Sequence, residues 1–106
     1  MGPSTVSRGD IWLVDLGLAA KVRPVVVLSV AYLDHERAVV TYIPRTTSFR
    51  NTRFEVSHSA PGFQPGAFDA QGIGTIPVVK MVRRLGKMDE SALTQVETAV
   101  RGWLAL

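Results

Sequence analysis

The chain has no cysteine. Disulfide bridges, thiolate metal sites and a cysteine nucleophile are therefore excluded. Long apolar runs are missing too: Val25–Leu28 falls far short of the ~20 residues that a membrane-spanning helix needs. The opening stretch, residues 1–8, holds no apolar core of the kind a secretory signal uses. The expectation is a cytoplasmic protein with no membrane partner. Several catalytic patterns are also absent: there is no GxSxG elbow, no Walker loop and no HExxH. Gly72-Ile73-Gly74 is a glycine pair without the rest of a dinucleotide fingerprint. Histidine is scarce, with only His35 and His58. Both are expected on the surface, the first in a turn and the second at the end of a strand. Asp10 and Asp15, five apart on a strand, should point to opposite faces, and Asp69 stands alone. Neither a metal nor an organic cofactor is expected.

What is present fits one small domain. A chain of 106 residues builds a single core with little stability to spare, and homodimerisation is a natural way to bury more surface. Twelve Lys and Arg against nine Asp and Glu give a net charge of +3. Most of the basic residues are arginine, whose planar fork binds two phosphate oxygens at once. They gather at Arg45, Arg50 and Arg53, and again with lysine at Lys80, Arg83, Arg84 and Lys87. Charge alone admits RNA, DNA, an acidic protein or a plain solvated face.

Short apolar runs punctuated by Gly and Pro read as an all-β barrel or sandwich. Strands are expected at Asp10–Leu16, Pro24–Val30, Ala38–Pro44 and Arg53–Ser57. The run from Pro24 is apolar throughout, which predicts a central strand covered on both faces, with Pro24 as its first residue. Asp34-His35-Glu36-Arg37 reads as the turn between the second and third strands. After a Gly/Pro-rich loop, Ser59–Gly66, a short strand is expected over Ala67–Gln71. Residues 72–77 are ambiguous, and 78–87 contain one or two further strand pieces. From Leu93 the period changes. Leu93, Val96, Val100, Trp103 and Leu104 recur at helical spacing. Asp89 suits the N-cap, with Met88 and Leu93 placed for a hydrophobic staple. Trp103, on that stripe, is expected to anchor the core.

If the second and third strands form a hairpin turning near Leu33, residues whose numbers sum to about 66 lie opposite one another. Lys21, Arg23 and Pro24 then approach Pro44, Arg45, Thr46 and Thr47. Such a rim of cations and hydroxyls either binds a phosphodiester or is an ordinary strand end and turn.

These residues also carry a family resemblance. Arg8-Gly-Asp-Ile-Trp-Leu-Val-Asp-Leu16 resembles the opening strand of MazF/PemK toxins, and Arg23-Pro-Val-Val-Val-Leu-Ser29 resembles their Arg-Pro strand. Ile43-Pro-Arg-Thr-Thr47 is similar to their hydrophobic-Pro-x-Thr segment. Phe68-Asp-Ala-Gln71 is similar to the later strand carrying a family glutamine, and Lys80–Leu106 resembles the family C-terminus. The order is collinear over residues 7–106, with residues 1–6 expected as a flexible tail. The resemblance implies an SH3-like, strongly bent β-barrel with a C-terminal helix, usually a homodimer. It implies a toxin that cuts single-stranded RNA, without a metal, and is neutralised by a cognate antitoxin. Residue matching makes Arg23 and Thr46 catalytic. Lys21, Arg45, Thr47, Arg50, Arg53 and Gln71 are the expected RNA contacts. In the implied chemistry the ribose 2′-OH attacks the adjacent phosphorus, leaving a 2′,3′-cyclic phosphate and a 5′-OH. Arg23 would offset the added charge while Thr46 donates a hydrogen bond to it. A guanidinium is a poor base. The loop Gly17–Val22 is shorter than in many relatives, and Arg45, Gly72 and Gly74 are also departures. The rival reading is a CcdB-like toxin, sharing the barrel without a nuclease site and binding DNA gyrase through its C-terminal surface, here Arg101-Gly-Trp-Leu-Ala-Leu106.

Overall fold

The structure, a computed structural model, describes residues 6–17 and 21–106. Its strands are β1 (Asp10–Gly17), β2 (Lys21–Val27), β3 (Val39–Thr46), β4 (Glu55–His58), β5 (Gly66–Asp69), β6 (Gly74–Pro77) and β7 (Met81–Lys87). Single 3₁₀ turns occupy Ala70–Gly72 and Val78–Lys80, and α1 (Glu90–Leu104) closes the chain. The antiparallel sheet runs β4-β5-β3-β2-β1-β7, with β6 also on β3. The protein is mainly β with one C-terminal helix, as the sequence predicts. No helix among the described residues is long and apolar enough to cross a membrane.

The bend of the sheet follows from β3. One of its edges pairs β2 through Tyr42–Pro44. The other edge pairs β6 through Val39–Tyr42, then switches to β5 at Arg45 and Thr46. Pro44, which has no N–H to give a ladder, sits at the switch. Register shifts between β1 and both of its neighbours add curvature. Gly72 and Gly74 let the returning chain lie against β3. A Cβ at Gly72 would meet Pro44 Cγ at 2.6 Å, and one at Gly74 would meet Tyr42 Oη at 2.7 Å.

Apolar clusters fill both faces of this curl. Ile11, Val26, Ile43, Phe68 and Met88 pack under Val96 and Val100 of the helix. Trp12, Val14, Val25, Val27, Val40, Val78 and Met81 form the second cluster. Alternation along β1 and β2 thus feeds two cores, which is why Val25–Val27 reads as unbroken apolar sequence. Asp89 caps the helix, its carboxylate accepting from Ala92 N at 2.8 Å.

Several expectations need correction. β2 begins at Lys21, so Pro24 lies inside the strand. It is tolerated because the β3 ladder starts only at Val25. β4 starts at Glu55, not Arg53, and Gln71 leaves β5 for the 3₁₀ turn. Trp103 is no core anchor: it is 43% exposed, meeting Phe54 edge-on with centroids 5.4 Å apart. Val6, assigned to the tail, is buried in the second cluster. Residues 18–20 of the short loop lie outside the described residues.

Candidate functional site

The β2–β3 ladder pairs Val25 with Pro44, Val26 with Ile43 and Val27 with Tyr42. Continued toward the rim, that register sets Pro24 against Arg45 and Arg23 against Thr46. It differs by three from the expected one because the hairpin turns at Asp34–His35 and not at Leu33. Opposed residues share a face. Arg23 follows Val25 and Val27 by alternation, while Thr46 follows Val40 and Tyr42, so both continue the second-cluster face where its apolar residues stop.

Two depressions meet there. One, of about 410 Å³, is lined by Val22, Arg23, Pro24, Arg45, Thr46, Thr47, Ser48, Gly62, Phe63 and Gln64. The other, of about 290 Å³, is lined by Arg23, Pro44, Thr46, Ser48, Arg50, Thr52, Glu55, Asp69 and Gln71. Arg23, Thr46 and Ser48 line both and form the divide between them. Among the described residues no hydrogen bond, ion pair or ring contact engages the Arg23 guanidinium. Thr46 Oγ1 accepts from Ser48 N at 3.0 Å, which leaves its own proton for a partner in the groove. A free guanidinium beside an oriented hydroxyl, with open space on either side, suits an extended phosphodiester chain.

The other expected contacts divide. Thr47 lines the first depression, and Arg50 and Gln71 line the second. Lys21 opens β2, but its side chain lies outside the described residues. Arg53 lines neither depression and lies over the Phe54 ring, 4.5 Å from its centroid. Arg45 is 5% exposed. Alternation puts it on the face of Ile43, paired with Phe68, so it enters the protein. Its Nε donates to His58 Nδ1 at 2.9 Å and its Nη2 to His58 O at 2.9 Å and to Gln64 O. Gly66 makes room: a Cβ there would meet Thr46 O at 2.6 Å and Arg45 Nη1 at 2.7 Å. Burial lowers the Arg45 pKa. Arg45 is thus a fastener within the wall of the groove, with its guanidinium already committed.

Sequence reasoning missed Ser48, although a Thr followed two residues later by a backbone N–H donor is a common side-chain turn. It missed Phe63 and Gln64 in the loop. It also placed His58 on the surface. The ring is half-buried, edge-on to Phe63 and Phe68 at 5.1 and 5.0 Å. Burial, then the Arg45 charge, lower its pKa, against a smaller opposite pull from Asp89. Glu55 was not singled out either. It accepts from Arg50 N and Thr52 N, and those backbone bonds, Thr52 first, hold its carboxyl below the usual range. The second basic run is partly spent on structure: Arg84 and Lys87 reach Asp10, a 3%-exposed carboxylate, at 3.4 and 3.8 Å. Among the described residues no three His, Cys, Asp or Glu side chains gather as a metal site would require.

Fold and site together define a small bent β-sheet protein with a cation–hydroxyl pair at the rim of its central hairpin. Residues 7–104 match the family described as PemK-like, MazF-like toxin of type II toxin-antitoxin system. The chain belongs to that family. Solved structures agree on the fold. The Mycobacterium tuberculosis toxin MazF-mt6 is 27% identical, with a TM-score of 0.80 over 92% of this chain and 97% of that one. A mycobacterial endoribonuclease in complex with its cognate antitoxin is 23% identical, with a TM-score of 0.82 over 95% and 96%. MazF in a MazE–MazF complex from Deinococcus radiodurans is 19% identical, with a TM-score of 0.77 over 94% and 96%.

Proposed function

We propose that this protein is a toxin endoribonuclease that cleaves single-stranded RNA at the divide formed by Arg23 and Thr46. The observation that carries the reading is that Arg23, with no partner among the described residues, and Thr46, whose hydroxyl accepts from Ser48 N and keeps its proton for the groove, together line both depressions. Family membership supports it, as does the mycobacterial endoribonuclease of the same fold. RNA supplies its own nucleophile: the 2′-OH gives its proton to solvent as its oxygen bonds to phosphorus, the P–O5′ bond breaks, and the leaving oxygen takes a proton from solvent, giving a 2′,3′-cyclic phosphate and a 5′-OH. Negative charge accumulates on the phosphoryl oxygens during this step. Arg23 offsets it and Thr46 donates to it. A guanidinium, with its pKa above about 12, is ill-suited to take the 2′-proton. Thr47, Arg50 and Gln71 flank the cut phosphate along the two depressions. The chemistry proposed here needs no metal.

The protein acts as a homodimer in this reading. Val79, in the turn before the edge strand β7, and Val82, within that strand, are 80% and 55% exposed and supply apolar surface for association. A cognate antitoxin, of the kind present with the mycobacterial relative, would neutralise it by covering the groove. The test is cleavage of a long single-stranded RNA in excess EDTA, with the fragment ends identified. Cyclic phosphates and 5′-OH ends are expected, and a 2′-deoxy substitution at the cut site should abolish scission. Intact RNA together with inhibited gyrase supercoiling would overturn the proposal in favour of a gyrase poison.

A further inference from the structure

The loop between β4 and β5 supplies Gly62, Phe63 and Gln64 as one wall of the first depression. The Arg45 side chain binds this loop to the barrel from beneath. It donates to His58 where the loop begins and to Gln64 O near its end. Its guanidinium carbon also lies 5.0 Å from the Phe63 centroid. One buried cation therefore fastens both ends of the wall.

Arginine carries donors only. The bond from Nε thus needs a lone pair on His58 Nδ1, which fixes a neutral imidazole with its proton on Nε2. A proton on Nδ1 removes that bond and sets two cations against each other in a half-buried place. The charged groups facing the ring are Arg45 from β3 and Asp89 from the start of α1. Phe63 from the loop and Phe68 from β5 carry no charge. The Asp89 carboxylate is already held by Ala92 N. Burial and Arg45 outweigh it, so the ring titrates below the ordinary histidine range.

We propose that Arg45 and His58 form a proton-sensitive clamp, a pair of positioning residues that holds the Phe63–Gln64 wall in place and so sets how tightly RNA is gripped on that side of the cut phosphate. The proposal rests on the ribonuclease reading for its RNA readout. Arg45 is committed to the wall and His58 lines neither depression, so the clamp governs KM and leaves the step at Arg23 and Thr46 alone. The wall is closed while His58 is neutral and loosens as pH falls through its titration.

The test follows kcat and KM for a single-stranded oligoribonucleotide from about pH 8 to about pH 5, beside the His58 ring ¹⁵N shifts and amide exchange of residues 59–65. In the wild type KM should rise about tenfold, the equivalent of one lost charge-assisted hydrogen bond. Loop protection should fall with the same midpoint as the ring. His58→Asn keeps an acceptor near the Nδ1 position and does not titrate there, so its KM should stay low down to the acid end. Comparing the two proteins at each pH cancels any pH dependence of the chemistry itself. A wild-type KM and loop protection that stay flat while His58 titrates would overturn the clamp, with no variant needed. So would a His58→Asn protein that follows the wild-type curve. If loop protection tracks His58 but RNA stays intact at every pH, the clamp stands and the ribonuclease reading fails.

Discussion

Replacing Gly66 with alanine is a sharp perturbation of the rim. Gly66 opens β5 opposite His58. The added Cβ would lie 2.6 Å from the Thr46 carbonyl oxygen, 2.7 Å from Arg45 Nη1 and 2.9 Å from Arg45 Cζ. The arginine could swing away, but only by leaving His58 and Gln64. The Thr46 oxygen is backbone, and Thr46 is itself laddered to Ala67 next door, so it yields only if β3 and β5 part. Overpacking of this kind costs about 1–3 kcal/mol, which in a domain of this size is a drop in Tm of roughly 5–20 °C. Gly86→Ala is the matched control, since no atom lies within 4 Å of its Cβ position and its φ is ordinary. Thermal unfolding of both variants separates the steric cost from the loss of glycine entropy. Cleavage by Gly66→Ala should also fall, because the displaced strand end carries Thr46. A Gly66→Ala protein that melts with the wild type would refute the packing argued for the rim.

Asp10→Ala should cost about 1–3 kcal/mol in denaturant unfolding, since the indole N–H of the buried Trp12 loses the carboxylate it donates to at 3.5 Å. Arg84→Ala or Lys87→Ala should cost at most about 1 kcal/mol, because each cation is about half exposed and the other stays beside Asp10 when one is removed. Stability should decline as pH falls. The folded His58 and Glu55 pKa values are both depressed, so the unfolded chain takes up those protons first, His58 below the ordinary 6.5 and Glu55 below 4.5. Urea midpoints against pH read this, and His58→Asn should remove the upper step. Arg50→Gln should lower the salt slope of single-strand binding by about 0.7, whereas Arg84→Gln, away from the groove, should leave it unchanged.

The sequence was most legible where one physical rule acts alone. The helix could be read from its period and from Asp89, and the central strand from Val25–Val27, because burial on both faces removes polar residues. The hairpin was found but its register was not. The turn residues were recognised, yet a centre placed between one and two positions too early shifts every cross-strand partner by three. The burial of Arg45 was missed because charge was read before alternation. Two residues after the fully buried Ile43 on a strand, a side chain points into the protein whatever its charge. Arg53 was grouped with Arg50 by proximity in sequence, though the turn before β4 sends them to different surroundings. His58 and Phe63 join the site through contacts across a loop, and no local pattern encodes those.

The most direct test of the Arg23–Thr46 site is single-turnover cleavage of one RNA by the wild type, Arg23→Ala and Thr46→Ala, with each Tm measured alongside. Each substitution should slow cleavage by about 10²-fold or more, as loss of one charge-stabilising donor does, with Tm unchanged because neither side chain belongs to an apolar cluster. Arg23→Ala cutting at the wild-type rate would contradict the assignment.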